Sequence, residues 1–194
     1  MVKLSQLGAD ESPPVRFLRW HAAVERRIRE LGVGYTFLRP NLFFQGLFAF
    51  AGTIAAEGRF FAPIGDARVS AVDVRDIAAV AAAALTEPGH EGQTYTITGP
   101  VAITHSDIAE ALSVATGREI EFVDVAHEAF RASLDGVLPD WQLDGLVEDY
   151  AHYGRGEAAA VLSTVVDVTG VEPRDIAQFA RDYADRFTAP AAQA

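Results

Sequence analysis

The sequence predicts an α/β fold with a largely parallel sheet, and three observations support this. Up to about residue 125, short segments that are apolar, or in which apolar and polar residues alternate, are interspersed with amphipathic segments of helical period. Gly and Pro residues separate these segments, and a mostly helical stretch follows them. This order is typical of strands in a parallel sheet that is covered by helices.

The first predicted elements are a strand over residues 1–5 and a helix over residues 15–31, joined by a polar loop with two prolines. Apolar residues of the helix recur at helical spacing, and Gly32 ends it. A segment rich in β-branched and aromatic residues, 33–38, predicts the second strand, which Pro40 ends.

The middle of the chain combines an aromatic segment with a capped helix. Residues 41–56 predict a loop and a short helix over a pocket, and short extended pieces follow at 60–61 and 68–72. Asp73 is the predicted N-cap of the next helix, and Asp76 stands where it would complete a capping-box-like pair. Capping therefore explains both carboxylates without a catalytic role.

The last predicted strands and helices follow the same alternation. Residues 94–98 predict a strand, and a helix capped by Thr104 ends at Gly117. Strict alternation over 119–125 predicts a further strand, and Pro173 is the predicted first residue of the last helix.

These elements suggest a division of the chain into three parts. Residues 1–125 would form a sheet-containing core, residues 126–188 a helical lobe, and residues 189–194 a flexible tail. The sequence contains no internal repeat and no low-complexity linker.

Composition excludes several classes of partner. The formal net charge is −11 and the pI is about 4.8, which disfavours binding to nucleic acid or to an anionic membrane surface. The chain has no cysteine, so it has neither disulfides nor thiolate ligands, and we predict no metal site. Without a secretory signal or a long apolar run, we expect a cytoplasmic protein.

The sequence contains no convincing glycine-rich phosphate loop. Such a loop requires Gly-x-Gly-x-x-Gly directly after a buried strand and at the start of a helix. The letters of residues 154–159 match with a final Ala, but an acidic amphipathic segment precedes them. We interpret Gly154 and Gly156 as residues that end a helix.

Several segments together resemble the NmrA-like branch of the atypical short-chain dehydrogenase/reductases. They are Trp20-His21-x3-Glu25, YTFLRPNLFF at 35–44, VSAVDVRDIA at 69–78, GQTYTITGP at 92–100 and TG-x2-PR at 169–174. The resemblance covers essentially the whole chain in the family's order.

The resemblance implies a fold and an activity. The fold would be the C-terminal part of a Rossmann-like parallel sheet with flanking helices and a small, mostly helical substrate lobe. The activity would be that of an NADP- or NAD-dependent reductase of a quinone or other carbonyl compound. The family's glycine-rich half, which precedes the first strand seen here, is not among these residues, so binding of a dinucleotide by this chain alone is in doubt.

The resemblance also concerns the proton-transfer residues. Many members of the wider superfamily use Tyr-x-x-x-Lys, and the matching positions here are Phe17 and His21. No such motif is possible in this chain, because Lys3 is its only lysine. His21 is the candidate catalytic residue, with Glu25 four positions away to orient it; the alternative is an ordinary pair on a helix surface.

The candidate ligand-binding residues fall into two groups. Pro40, Asn41 and Leu42 leave the end of a predicted strand, where α/β sheets bind ligands. The resemblance implies that this loop and Ser5 lie on the nicotinamide side of a cofactor, although Asn41 could equally satisfy the loop backbone. The predicted substrate pocket consists of Phe17, Phe43, Phe44 and Phe48, and it would suit a small apolar or aromatic substrate. The alternative is that these phenylalanines pack in the hydrophobic core.

Three functions remain open. The chain can be a reductase whose cofactor site needs a missing N-terminal half or a homo-oligomer. It can be a non-catalytic regulator that senses dinucleotides or binds another ligand, or an inactive fragment.

Overall fold

The structure, a computed structural model, describes residues 1–188; the tail predicted at 189–194 lies outside them. Within that part of the chain the strands are β1 (Val2–Leu4), β2 (Thr36–Pro40), β3 (Arg59–Ala62), β4 (Thr94–Ile97) and β5 (Glu121–Asp124). The helices are α1 (Arg16–Glu30), α2 (Ala51–Glu57), α3 (Val74–Thr86), α4 (His105–Thr116), α5 (His127–Ser133), α6 (Asp140–Gly154), α7 (Thr164–Thr169) and α8 (Ile176–Asp182), with 3-10 helices at Phe44–Phe50 and Ala184–Phe187.

Two parallel sheets confirm the predicted fold class. The strands β1, β2 and β4 form one sheet in that order, and all neighbours are parallel. The strands β3 and β5 form a second, separate parallel pair. The alternating residues at 119–125 therefore pair with the Phe60-Phe61 segment and not with the central sheet, a choice of partner that periodicity does not determine.

Several predicted boundaries are corrected by hydrogen bonding. The second strand runs from Thr36 to Pro40, later than predicted; Pro40 belongs to it because it pairs with Ile97 of β4. The last α-helix begins at Ile176 rather than at Pro173, because the side chain of Asp175 caps it.

Both predicted N-caps are present, but Asp76 has another role. Asp73 caps α3 by accepting from the amide of Arg75, and Thr104 caps α4, as predicted. The capping-box role predicted for Asp76 is wrong. Its carboxylate instead accepts from the backbone amide and the guanidinium of Arg174, so it ties α3 to the segment that precedes α8.

The larger hydrophobic cluster joins both sides of the boundary predicted at residue 125. It contains Phe60 and Leu112 from one side and Phe130 and Phe179 from the other. Of the helices within residues 1–188, none has the length and apolarity that a membrane span needs.

Candidate active site

A cleft of about 310 Å³ opens at the carboxyl ends of β1 and β2. This edge of a parallel sheet is the usual position for ligands in α/β proteins. The residues that line the cleft are Leu4, Ser5, Gln6, Leu7, His21, Pro40, Asn41, Leu42, Phe43, Asp149 and Tyr153. The lining combines an apolar wall with a few polar side chains, as binding sites for small molecules commonly do.

An apolar cavity of about 510 Å³ adjoins the cleft. Leu42 and Phe43 line both, so the two spaces meet at the loop that follows β2. Aromatic and aliphatic side chains form most of the cavity wall, and His105 and Tyr150 are among its few polar members.

Glu25 is a buried carboxylate beneath the cleft. It occupies the inward stripe of α1 together with Leu18, Ala22 and Ile28. Its oxygens accept from Ser5 Oγ at 2.5 Å and from the guanidinium of Arg39 at 2.9 and 2.5 Å. Burial opposes ionisation of Glu25, but the hydrogen bonds from Arg39 and Ser5 outweigh it and lower the pKa of the carboxyl group.

His21 was predicted to be oriented by Glu25, but its hydrogen-bond partner is Lys3. The ammonium group of Lys3 lies 2.8 Å from His21 Nδ1 and 3.0 Å from Ser5 Oγ. An ammonium group cannot accept a hydrogen bond, so Nδ1 is the acceptor and the ring proton resides on Nε2. Burial, with the positive charge of Lys3, lowers the pKa of His21 and keeps the imidazole neutral.

Asp149 is a second buried carboxylate and lies in the wall of the cleft. Its side chain accepts from Gln6 Nε2 at 3.0 Å, and the residue is 7% exposed. Burial raises the pKa of Asp149 to about 7, the hydrogen bond from Gln6 opposes this, and the charge of Glu148 adds to it. The site therefore contains one carboxylate that stays ionised and one that can hold a proton near neutral pH.

His105 is the buried base of the apolar cavity. Its ring lies between Phe60, Phe122 and Tyr150, and its Nδ1 is buried without a hydrogen-bond partner. Burial lowers the pKa of His105 to about 4, so the imidazole is uncharged at neutral pH.

Most of the residues predicted for the site lie together. Ser5, His21, Pro40, Asn41 and Leu42 all line the cleft. Of the predicted substrate residues, Phe43 lines both spaces and Phe44 lines the apolar cavity.

Phe17 and Phe48 lie outside the lining of both spaces. Phe17 packs against Trp20 and Trp141, between α1 and α6. Phe48 packs against Phe179, Tyr183 and Phe187, because the 3-10 helix turns its side chain towards the C-terminal helices.

The side chain of Asn41 is held within the protein. Its amide donates to Ser70 Oγ and to the carbonyl of Ala158, both at 2.8 Å, and its oxygen accepts from the amide of Leu42. These bonds match the alternative in which Asn41 satisfies the loop, and they fix the position of that loop at the cleft.

Sequence reasoning missed Gln6, Asp149 and Tyr153 in the cleft. Asp149 and Tyr153 are four residues apart and share a face of α6, but no motif marks them and their loop partner Gln6 is 143 residues from Asp149. The burial of Glu25 did leave a signal, since it continues the helical spacing of Leu18 and Ala22.

The described residues, 1–188, contain no group of three or more His, Cys, Asp or Glu side chains that could hold a metal ion.

The glycine pair at 154–156 ends α6, as predicted, and Gly156 has a φ of +78°. It does not open a helix towards the cleft.

A parallel sheet flanked by helices, with a cleft at the carboxyl ends of its strands, is typical of Rossmann-like α/β proteins. The NmrA-like family profile matches residues 4–179, and the chain belongs to that family.

Three similar proteins are reductases. The NAD(P)H azoreductase of Xenophilus azovorans is 40% identical over 184 residues, 94% of this chain and 64% of that protein. A (4-alkanoyl-5-oxo-2,5-dihydrofuran-3-yl)methyl phosphate reductase of Streptomyces griseus is 35% identical over 96% of this chain and 67% of that protein. The crystal structure of an NADPH-dependent quinone oxidoreductase from Escherichia coli superimposes with a TM-score of 0.84 at 26% identity and covers 93% of this chain and 66% of that one. The chain thus spans about two thirds of the length of these relatives.

Proposed function

We propose that the chain provides the nicotinamide and substrate side of an NAD(P)H-dependent reductase for small apolar or aromatic acceptors such as quinones. The observation that carries this proposal is the junction of the two spaces at Leu42 and Phe43. A cleft at the strand ends, whose apolar wall carries a few polar side chains, meets an apolar, aromatic cavity there. A ring in each space could thus approach the other directly.

The cleft suits the nicotinamide end of such a cofactor. Pro40, Leu42 and Leu4 offer apolar contacts for a flat ring, while His21 Nε2–H and the buried Gln6–Asp149 pair offer polar contacts. A reduced nicotinamide, when bound, supplies a hydride. The protein residues would orient the ring and exclude water from the acceptor.

The pyrophosphate end finds no counterpart in these 194 residues. A glycine-rich turn that opens a helix at a strand end would present amides to the phosphates, and the sequence has none in that context. We therefore expect this chain to bind NADPH no more tightly than reduced nicotinamide mononucleotide, which lacks the adenosine half.

The first experiment is a titration of the purified chain with each of these two ligands, followed by nicotinamide fluorescence. Similar, weak saturable binding of both would support the proposal. If neither ligand binds, the proposal is rejected for this chain. Much tighter binding of NADPH would mean that a second copy or another polypeptide completes the site, which sedimentation of the complex would reveal.

A reduction assay with 1,4-naphthoquinone and saturating NADPH tests the acceptor side. Ala49 lies at the rim of the apolar cavity and is exposed, so Ala49→Trp should fill the cavity and abolish turnover without disturbing the core. Ala82→Trp is the matched control, because Ala82 is exposed on α3 and lines neither space. Equal activity of the two variants would contradict the assignment of the cavity.

A further inference from the structure

Helix α6 lines both spaces with neighbouring rows of side chains. Leu146 and Tyr150, four residues apart, line the apolar cavity, and Asp149 and Tyr153, also four apart, line the cleft. Residues at this spacing share a helix face, so Asp149 lies in the row next to the cavity row. It is therefore close to the place where a ligand in the cleft and one in the cavity would meet.

Asp149 has none of the partners that keep Glu25 ionised. Within residues 1–188 its only side-chain hydrogen bond comes from the neutral amide of Gln6, whereas Glu25 accepts from two guanidinium groups and a hydroxyl. A buried carboxyl group with no cation partner favours its neutral, protonated form. The two carboxyl groups of the site are thus in different states near neutral pH.

The groups that face Asp149 reinforce this difference. Glu148 precedes it on α6 and pairs with Arg16 at the surface, the buried phenols of Tyr150 and Tyr153 are on the same helix, and Gln6 approaches from the loop after β1. His152 Nδ1 is turned to Glu157, and His21 belongs to another wall of the cleft. Of these groups, Glu148 adds negative charge and further disfavours ionisation of Asp149.

We propose that Asp149, held by Gln6, is the catalytic proton donor that protonates the acceptor as it is reduced. This inference rests on the proposed reductase function. Transfer of a hydride leaves a quinone acceptor with one negative charge on oxygen. The carboxyl O–H bond of Asp149 breaks, a new O–H bond forms on that oxygen, and the resulting carboxylate regains a proton from water.

His21 does not meet this need. Because Lys3 occupies its Nδ1, the neutral ring can donate a hydrogen bond from Nε2. A neutral imidazole does not release a proton near pH 7, whereas a carboxyl group that titrates in that range does. His21 therefore orients a ligand, and Asp149 supplies the proton.

Infrared spectroscopy tests the protonation state without any cofactor. The full chain should show the carbonyl band of a protonated carboxyl group at pH 6, and this band should disappear with a midpoint near pH 7. Asp149→Asn should remove the band. Asp144→Asn is the control, because Asp144 lies on the same helix in ion pairs with Arg16 and Arg131. Identical spectra of wild type and Asp149→Asn would overturn the proposal.

Binding of 1,4-naphthoquinone tests whether this proton reaches the ligand. If only the protonated form donates to the quinone oxygen, affinity should fall about tenfold from pH 6 to pH 8 in wild type and in Asp144→Asn. In Asp149→Asn the affinity should not change with pH. A fall in affinity from pH 6 to pH 8 in Asp149→Asn that equals the fall in wild type would overturn the assignment.

NADPH turnover in the same samples separates the two proposals. If the chain does not bind NADPH but its affinity for the quinone depends on pH through Asp149, the reductase activity of this chain is rejected. Proton donation during turnover is then rejected as well, and only the contact between Asp149 and the quinone is retained. Turnover with the same pH profile in wild type and Asp149→Asn would reject the role of Asp149 and retain the reductase.

Discussion

Arg39 on β2 holds the buried carboxylate of Glu25 on α1 through two hydrogen bonds, of 2.9 and 2.5 Å. Glu25 also accepts from Ser5, which lies at the end of β1. One carboxylate thus links the helix to both strands whose ends form the cleft. This pair fixes the geometry of the cleft, although neither residue lines it.

Replacement of Glu25 should therefore be costly. In Glu25→Gln the neutral amide leaves Arg39 without its charge partner, and breaking a buried ion pair costs about 3–5 kcal/mol. We expect a loss of about 3 kcal/mol in the free energy of unfolding, measured with urea at pH 7. Glu30→Gln is the control, because the ion pairs of Glu30 with Arg26 and Arg27 lie at the surface, where such pairs contribute about 0–1 kcal/mol. Equal effects of the two substitutions would show that the buried pair contributes little.

Gly145 lies where α6 packs against α1, and a Cβ atom at this position would clash with the tip of the Phe17 ring. Gly→Ala in a helix interior normally stabilises by about 1 kcal/mol, but the clash should reverse the sign and destabilise Gly145→Ala by about 1 kcal/mol. Gly154→Ala, at the end of the same helix with open space around it, should not be destabilised. Thermal unfolding distinguishes the two, and a stabilised Gly145→Ala would contradict the packing described here.

Thr104 should contribute a normal helix cap to α4. Its hydroxyl accepts from the amide of Asp107 at 3.0 Å, and Asp107 accepts in return from the amide of Thr104 at 2.8 Å. Thr104→Ala should lower the free energy of unfolding by about 1 kcal/mol. Ser106→Ala, an exposed position in the first turn, should be neutral or slightly stabilising. A difference of zero between the two variants would mean that the capping box is not formed in solution.

The sequence predicted local structure better than it predicted partners. The period of α1, the caps Asp73 and Thr104 and the glycine end of α4 depend on neighbours within a few residues, and the structure has all of them. The partner of β5 and the contact from Asp76 to Arg174 involve residues far apart in the sequence. No periodicity specifies such contacts.

The candidate site shows the same division. The loop after β2 was predicted because strand ends bind ligands in α/β folds, and six of the predicted residues line the cleft. Asp149 was missed because its role depends on a loop 143 residues away and on burial, neither of which its own segment reveals. Phe48 was assigned to the pocket by its neighbours in sequence, whereas its direction is set by the turn of the 3-10 helix.

His105 should make the protein sensitive to mild acid. Its pKa is about 4 in the folded state, and an unfolded histidine titrates near 6.5. Between these values the unfolded chain binds a proton that the folded chain does not, so stability falls as the pH is lowered from about 6.5 to 4, by on the order of 3 kcal/mol. His105→Phe, which fits the aromatic surroundings, should lack this part of the pH dependence. Urea unfolding at pH 7 and pH 5 measures the difference, and parallel losses in the two proteins would contradict it.

Asp149 should have the opposite effect on stability. Its folded pKa is about 7, above the value of about 3.9 for an unfolded aspartate. Between these values the folded chain holds a proton that the unfolded chain releases, so stability falls as the pH rises from about 4 to 7, by on the order of 4 kcal/mol. Asp149→Asn keeps a neutral side chain of the same shape at every pH, so it should be more stable than wild type at pH 8, and this advantage should be smaller at pH 5. Unfolding in urea at both values measures the difference. If Asp149→Asn is less stable than wild type at pH 8, the folded protein tolerates the ionised carboxylate of Asp149. Asp149 would then not hold the proton that we assign to it.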